Sequence, residues 1–164
     1  MDSLDLVSHS PEQTQQLGEL LGELARPGDI ILLVGALGTG KTCMVQGIAR
    51  GLGVTEYAFS PSFVIAREYH GRLPLYHVDL YRLEHVGELA ELGLEEQLEG
   101  NGVCVVEWPE KGMPVLPPDR MIIALEYHTA GEEKRRISLT GEGERHRGLL
   151  EQLASVLEGT QWSS

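Results

Sequence analysis

Cysteine is scarce in this chain, which contains only Cys43 and Cys104 among its 164 residues. The two do not form a Cys-x-x-Cys pair, which excludes the disulfide framework that holds small secreted domains together. No cysteine or histidine has the spacing of a metal site, so we predict no zinc. We expect both thiols to be reduced in a cytoplasmic protein, with Cys104 buried as a small apolar side chain.

Long apolar runs are also missing. No stretch of about 18 apolar residues occurs, so we expect no membrane span. The first residues, 1–5, are acidic and lack an apolar segment, so we do not expect a secretory signal. Since the sequence shows no repeat, linker or low-complexity tract, we predict a single domain over residues 1–164.

Basic residues are outnumbered: 13 lysines and arginines stand against 25 acidic residues, which gives a formal net charge of −12. Proteins that bind nucleic acids usually carry a basic surface, so this balance argues against unaided binding to DNA or RNA. The one basic cluster, residues 134–136, is interpreted as a solvated strand edge, with a nucleic-acid site as the alternative. Binding of a nucleotide to this acidic protein would therefore depend on a local positive patch.

One complete motif supplies such a patch. Residues 35–42 read G-x-x-x-x-G-K-[ST] and follow the apolar run 30–34, which is the strand–loop–helix setting of a phosphate-binding loop. Glycines let backbone N–H groups turn toward phosphate oxygens, and the next helix adds a positive dipole end. We expect Lys41 to bind the β- and γ-phosphates of a nucleoside triphosphate, and Thr42 to bind Mg²⁺. The residues assigned to the nucleotide here are Gly35, Leu37, Gly38, Thr39, Gly40, Lys41, Thr42 and Cys43. The alternative is a glycine-rich turn that happens to precede Lys-Thr.

The remaining pattern predicts an α/β fold, a three-layer domain like the P-loop NTPases, with a mostly parallel central sheet and antiparallel hairpins. Helices are predicted after the cap Ser10-Pro11, over 41–52, within 89–98 and over 149–157. Strands are predicted over 4–7, 29–34, 63–69, 73–80, 103–106, 121–127 and 136–139.

Two acidic residues follow predicted strands, where α/β sheets present their ligands. Glu107 follows the run 103–106, as a Mg²⁺-binding acid would, and Asp79 ends the strand before it. For each, the alternative is an acid at a strand end on the surface. Trp108 is expected either to pack on the nucleotide or to fill the core, and His77 is expected to form a structural hydrogen bond.

Four motifs in this order, G-x-L-G-x-G-K-T, S-P-[ST]-F, H-x-D-x-Y-R and E-W-P-E, occupy residues 35–42, 60–63, 77–82 and 107–110. Together they resemble the bacterial tRNA threonylcarbamoyladenosine biosynthesis ATPase family (TsaE, also called YjeE) over nearly the whole chain. The phosphate loop alone is unspecific, whereas the last two motifs are specific.

The resemblance implies a small ATPase required for the N6-threonylcarbamoyladenosine (t6A) modification of tRNA. It implies binding to the transferase subunit TsaD and its paralogue TsaB, with ATP hydrolysis resetting that complex and tRNA contacted only indirectly. It also implies that Lys41 and Thr42 bind phosphates and Mg²⁺, that Glu107 is a second Mg²⁺ ligand and that Asp79 is needed for hydrolysis.

The same resemblance places two further positions near the nucleoside: Thr14, and either Arg135 or Arg136. The loop at 60–63, with Ser60 and Ser62, falls where a nucleotide-sensing switch usually lies; a proline-containing turn is the alternative. Two departures stand out, because the family commonly has Asp at the position of Ala36 and Thr at that of Cys43. The change at Ala36 bears more on the rate of ATP hydrolysis than on ATP binding, and we expect low intrinsic turnover.

Two other functions remain open. A small-molecule kinase on the same fold would need an arginine-rich lid, and the arginines at 67, 72 and 82 are scattered. A nucleotide-gated binding module without catalysis is disfavoured by Asp79 and Glu107. A GTPase is less favoured, because no N-K-x-D motif occurs.

Overall fold

The computed structural model describes residues 2–36, 38–55, 66–81 and 100–158. These ranges contain three helices: α1 (Pro11–Leu24), α2 (Lys41–Gly51) and α3 (Glu144–Leu157). They also contain the strands β1 (Ser3–Ser8), β2 (Ile30–Val34), β3 (Ala66–His70), β4 (Pro74–Asp79), β5 (Val103–Glu107), β6 (Arg120–Tyr127) and β7 (Arg135–Glu142). Two short 3₁₀ turns, Pro109–Lys111 and Met113–Val115, follow β5.

The described strands form one sheet in the order β1-β7-β6-β2-β5-β4-β3. The four central strands β6, β2, β5 and β4 are parallel, whereas the pairs β3–β4, β6–β7 and β1–β7 are antiparallel. Strand β2 and residues 103–106 of β5 are continuous apolar runs, as expected of strands that are covered on both faces. The mixed sheet and its two hairpins confirm the predicted fold class.

Local features mark where α1 begins and where α2 ends. Ser10 caps α1, and its Oγ accepts a hydrogen bond from the Gln13 N–H at 3.1 Å. The side chain of Gln13 accepts a hydrogen bond from the N–H of His9 at 2.6 Å, whereas in a capping box it would accept from the N–H of the cap residue Ser10. Gly53 follows α2 with a φ of +77°, as a helix-ending glycine does.

Helices α1 and α2 pack against each other through glycines spaced one turn apart. Gly18 and Gly22 of α1 face Gly47 and Gly51 of α2. A Cβ atom at Gly47 would lie 2.1 Å from the carbonyl oxygen of Gln15, which is part of the α1 backbone. The seam fixes α1 directly against the helix that begins at the phosphate loop, and it was not among the sequence predictions.

The sheet separates two apolar clusters. The larger one joins α1, α2 and α3 to one face, with Leu33 and Val105 in its sheet layer. The smaller one lies on the other face and includes Leu32, Val106 and, beyond the sheet, Leu116. The carboxyl ends of the central strands are thereby held in fixed relative positions.

Several predicted features lie outside the described residues: the helical segment within 89–98, the switch loop 60–63, the beginning of the strand at 63, and Leu37. Among the described helices, none combines the length and the apolar character that crossing a bilayer would demand.

Candidate functional site

Three neighbouring parallel strands end at one edge of the sheet and bring the predicted residues together. Strand β2 leads into the phosphate loop, β5 ends at Glu107 and β4 ends at Asp79. In the sheet register, Glu107 pairs with Leu33 on one side and with Asp79 on the other. Since the carboxyl ends of adjacent parallel strands share an edge, residues far apart in the chain meet there.

The phosphate loop turns sharply before α2. Gly38 and Gly40 have φ values of +82° and +107°, a region that L side chains rarely adopt. Thr39 closes the turn: its N–H and its hydroxyl donate to the carbonyl oxygen of Ala36 at 3.3 and 2.7 Å. The first turn of α2 follows at once, so its free N–H groups and positive dipole end face the same place as the loop.

Lys41 is the buried cation of this site. Its residue surface is 5% exposed, and among the described residues its Nζ has no hydrogen-bond acceptor. The ammonium group lies 3.8 Å from the centroid of the Trp108 ring. Burial lowers the pKa of Lys41, while the charges of Glu107 and Asp79 act in the opposite direction. A buried ammonium group without an acceptor is suited to receive an anion.

Trp108 owes its position to an unusual backbone. It is the one non-glycine residue in the described ranges with a positive φ, 56°. This conformation costs free energy and persists where the surroundings determine it. The Trp108 ring packs at 4.9 Å from that of Tyr81, whose carbonyl oxygen accepts from the Lys111 ammonium group. An aromatic wall therefore stands beside Lys41.

Glu107 and Asp79 occupy different environments although they are register partners. Glu107 is 3% exposed, and its Oε2 lies 2.6 Å from Nε2 of the fully buried His77. Asp79 accepts a hydrogen bond from the N–H of Tyr81 at 2.9 Å, and burial raises its pKa above the ordinary value, with Glu107 adding to the shift. His77 forms the predicted structural hydrogen bond, and its partner is the predicted Mg²⁺ ligand.

These residues surround a cleft of about 350 Å³. Its described lining consists of Gly38, Gly40, Lys41, Thr42, Cys43, Asp79, Tyr81, Glu107 and Trp108. Oxygen donors predominate among its ligating groups, with one hydroxyl from Thr42 and the carboxylates of Asp79 and Glu107. Such a set fits Mg²⁺, which prefers oxygen ligands and few protein carboxylates, and the ammonium group and backbone amides fit phosphates.

Of the other predicted binding residues, Thr14 and Arg135 lie beside the phosphate loop and Arg136 does not. Thr14 is buried and hydrogen-bonded to Ser8 Oγ at 2.6 Å, and its methyl group borders Gly40. Arg135 reaches the phosphate loop and donates to the carbonyl oxygen of Thr39 at 3.2 Å. Arg136, its exposed neighbour on β7, projects from the other face of the sheet because side chains alternate along a strand.

Two aromatic residues of the site were not among the predicted site residues. Tyr81 lines the cleft, and its signal was present in the motif H-x-D-x-Y-R. Tyr127 ends β6, and a Cβ at Gly38 would come within 2.7 Å of its hydroxyl. Nothing in the local sequence of β6 indicates that contact, since it depends on which strand lies beside the loop.

Comparisons with known proteins agree with one another. A family model described as "Threonylcarbamoyl adenosine biosynthesis protein TsaE" matches residues 8–137. A Bacillus subtilis protein named tRNA threonylcarbamoyladenosine biosynthesis protein TsaE is 43% identical over 155 residues, covering 94% of this chain and 96% of that protein. A protein of the same name from Nostoc is 45% identical over 132 residues, covering 77% and 80%. The crystal structure of Bacillus subtilis YdiB superposes with a TM-score of 0.81 at 38% identity, covering 93% of this chain and 95% of that one.

Proposed function

The chain belongs to the TsaE family of threonylcarbamoyl adenosine biosynthesis proteins, and we propose that it serves t6A formation as a Mg²⁺-dependent ATPase. One observation carries the catalytic part of the proposal. The buried Lys41 ammonium group, without an acceptor among the described residues, borders a cleft that two strand-end carboxylates also line. This combination is what binding and hydrolysis of a nucleoside triphosphate need.

The phosphate loop and Lys41 bind the phosphates in this proposal. Backbone amides of the loop and of the first turn of α2 surround the anion, and Lys41 neutralises charge on the β- and γ-phosphates. Binding exchanges the contact of Lys41 with the Trp108 ring for a contact with phosphate oxygens. Low solvent exposure strengthens that interaction relative to one in water.

The two carboxylates divide the remaining work. Thr42 and Glu107 would hold Mg²⁺, with His77 keeping the Glu107 carboxylate in place. When bound, the ion neutralises charge that develops on the phosphates. We assign the orientation of the attacking water to Asp79, because it lines the cleft and, within the described residues, its bond to the Tyr81 N–H uses one oxygen.

Within t6A formation, we place the chain as a helper of the enzyme that transfers the threonylcarbamoyl group. The partners proposed are the transferase subunit TsaD and its paralogue TsaB, in the cytoplasm. The net charge of −12 supports indirect contact with tRNA, since the partners would supply the basic surface. Hydrolysis then drives assembly or release, and the available energy is the difference in nucleotide affinity between free and complexed states.

The direct test is an ATPase assay of the chain alone and with the two partners. We expect slow turnover alone, a change with the partners and loss of activity in Lys41→Ala. Arg147→Ala removes one positive charge from the exposed side of α3 and serves as the matched control. Full activity of a folded Lys41→Ala protein would overturn the assignment.

A second test separates the carboxylates. Glu107→Ala is expected to lose the Mg²⁺ dependence of nucleotide binding, whereas Asp79→Ala should bind nucleotide and fail to hydrolyse it. Calorimetric titrations with and without Mg²⁺ measure both effects, and identical behaviour of the two variants would reject this division. Co-purification with TsaD and TsaB in the presence of ATP, in the presence of ADP and without nucleotide tests whether the bound nucleotide controls association with the partners. Equal association in all three conditions would refute this control without affecting the ATPase assignment.

A further inference from the structure

The guanidinium group of Arg135 joins two loops that are distant in sequence. It donates to the phosphate loop at the carbonyl oxygens of Thr39 (3.2 Å) and Gly38 (3.4 Å). It also donates to the hairpin that precedes β7, at the carbonyl oxygens of Glu132 (2.5 Å) and Lys134 (2.8 Å). Four of its contacts are therefore made to backbone carbonyl groups, two in each loop.

The contact with Thr39 bears on the direction of one phosphate-loop amide, that of Gly40. In a trans peptide the C=O of one residue and the N–H of the next point in opposite directions. With the Thr39 carbonyl directed at Arg135, the N–H of Gly40 points to the other side of the loop. Gly38 and Gly40 line the cleft, and Arg135 is not among the described residues that do.

The end of the β6–β7 hairpin supports this arrangement. Tyr127 and Arg135 are register partners, and the guanidinium carbon lies 4.8 Å from the centroid of the Tyr127 ring. The Tyr127 hydroxyl in turn borders Gly38. The hairpin thus presents an aromatic ring and a planar cation to the outer side of the phosphate loop.

We propose that Arg135 is a positioning residue for phosphate binding: from outside the cleft it holds the Thr39 carbonyl group outward, so that the Gly40 N–H faces the phosphates. The inference rests on the proposed function, because it concerns the same loop. It differs from the nucleoside contact that the family resemblance implied for this region. A nucleoside contact would recognise adenosine, whereas loop positioning acts on phosphates alone.

The experiment compares calorimetric binding of ATP and of inorganic tripolyphosphate to the full chain and its variants. Arg135→Ala should weaken both ligands by the same factor, about tenfold, which is the contribution of one charge-assisted hydrogen bond. Arg135→Lys keeps the charge but loses the planar fork of donors, so we expect it to remain at least about fivefold weaker for both ligands. Lys134→Ala removes a neighbouring charge and should bind within about twofold of the unaltered chain.

Each result decides between explanations. If Arg135→Ala weakens ATP and leaves tripolyphosphate unchanged, Arg135 contacts the nucleoside and the proposal is overturned. If Arg135→Lys binds both ligands like the unaltered chain, or if Lys134→Ala weakens both as much as Arg135→Ala does, charge alone sets the affinity and the proposal is overturned. The proposal is also overturned if neither arginine variant changes binding. Failure of the unaltered chain to bind either ligand would instead reject the proposed function. Thermal unfolding without ligand accompanies the series, and Arg135→Lys retains the test if Arg135→Ala does not fold.

Discussion

Replacing Gly47 by alanine tests the packing that fixes the phosphate-loop helix. An ideal Cβ at this position would lie 2.1 Å from the Gln15 carbonyl oxygen, 2.9 Å from the Gln15 carbonyl carbon and 3.0 Å from the Glu19 nitrogen. Ordinary contact begins at 3.4 Å, and all three atoms belong to the backbone of α1. Because no flexible side chain can move aside, one helix has to shift.

The expected magnitude follows from two opposing effects. Alanine is better than glycine within a helix by about 1 kcal/mol. Overpacking a closely packed interior costs about 1–3 kcal/mol, and more where the backbone must move. Since all three contacts are with backbone atoms, we take the upper part of that range, about 2–3 kcal/mol, so Gly47→Ala should lower the free energy of unfolding by about 1–2 kcal/mol after the helix-propensity gain.

Gly148→Ala is the matched control, because it also lies in a helix and a Cβ there would meet nothing within 4 Å. This variant should raise the free energy of unfolding by about 0.5–1 kcal/mol. Urea denaturation of both proteins measures the difference. Since α2 begins at Lys41, Gly47→Ala should also weaken ATP binding, and Gly148→Ala should not. Equal stabilisation by both substitutions would refute the close approach of α1 and α2.

Three further predictions concern the acid of the site, the start of α3 and the thiols. A double-mutant cycle of His77→Ala and Glu107→Ala, measured by urea unfolding without nucleotide, should give a coupling of about 1.5–3 kcal/mol; additivity within about 0.5 kcal/mol would deny the buried pair. Asp119 accepts hydrogen bonds from two N–H groups at the start of α3 and from His146. Partial burial raises the pKa of Asp119, but these hydrogen bonds outweigh it and hold the pKa below the ordinary value. Asp119→Ala should therefore lower the free energy of unfolding by about 1 kcal/mol at neutral pH. The stability that comes from a lowered carboxyl pKa is present above the unfolded-state pKa and is lost as the pH falls through the folded-state pKa. The effect of Asp119→Ala must therefore shrink in acid. Burial raises the pKa of Cys104 to about 12, so maleimide should label it only on unfolding, whereas Cys43 lines the cleft and ATP should slow its labelling; labelling of Cys104 in the folded protein would contradict its burial.

The sequence alone determined the parts of this protein that depend on local chemistry. The apolar run before residues 35–42 and the helix after it predicted the phosphate loop, because strand, tight turn and helix each have a local pattern. The positions of Asp79 and Glu107 at strand ends were predictable for the same reason. Once parallel strands are assumed, their carboxyl ends have to meet at one edge of the sheet.

Only the tertiary structure decided which neighbours these residues have. Arg135 and Arg136 are adjacent in sequence, yet one reaches the phosphate loop and the other faces away, because strand alternation and the β2–β6–β7 order together select the side. The hydrogen bond from His77 to Glu107 depends on the register of β4 against β5, and the glycine seam depends on which helix crosses α2. Such pairings are set by the free energy of packing the whole chain, to which any single segment contributes too little to determine the arrangement.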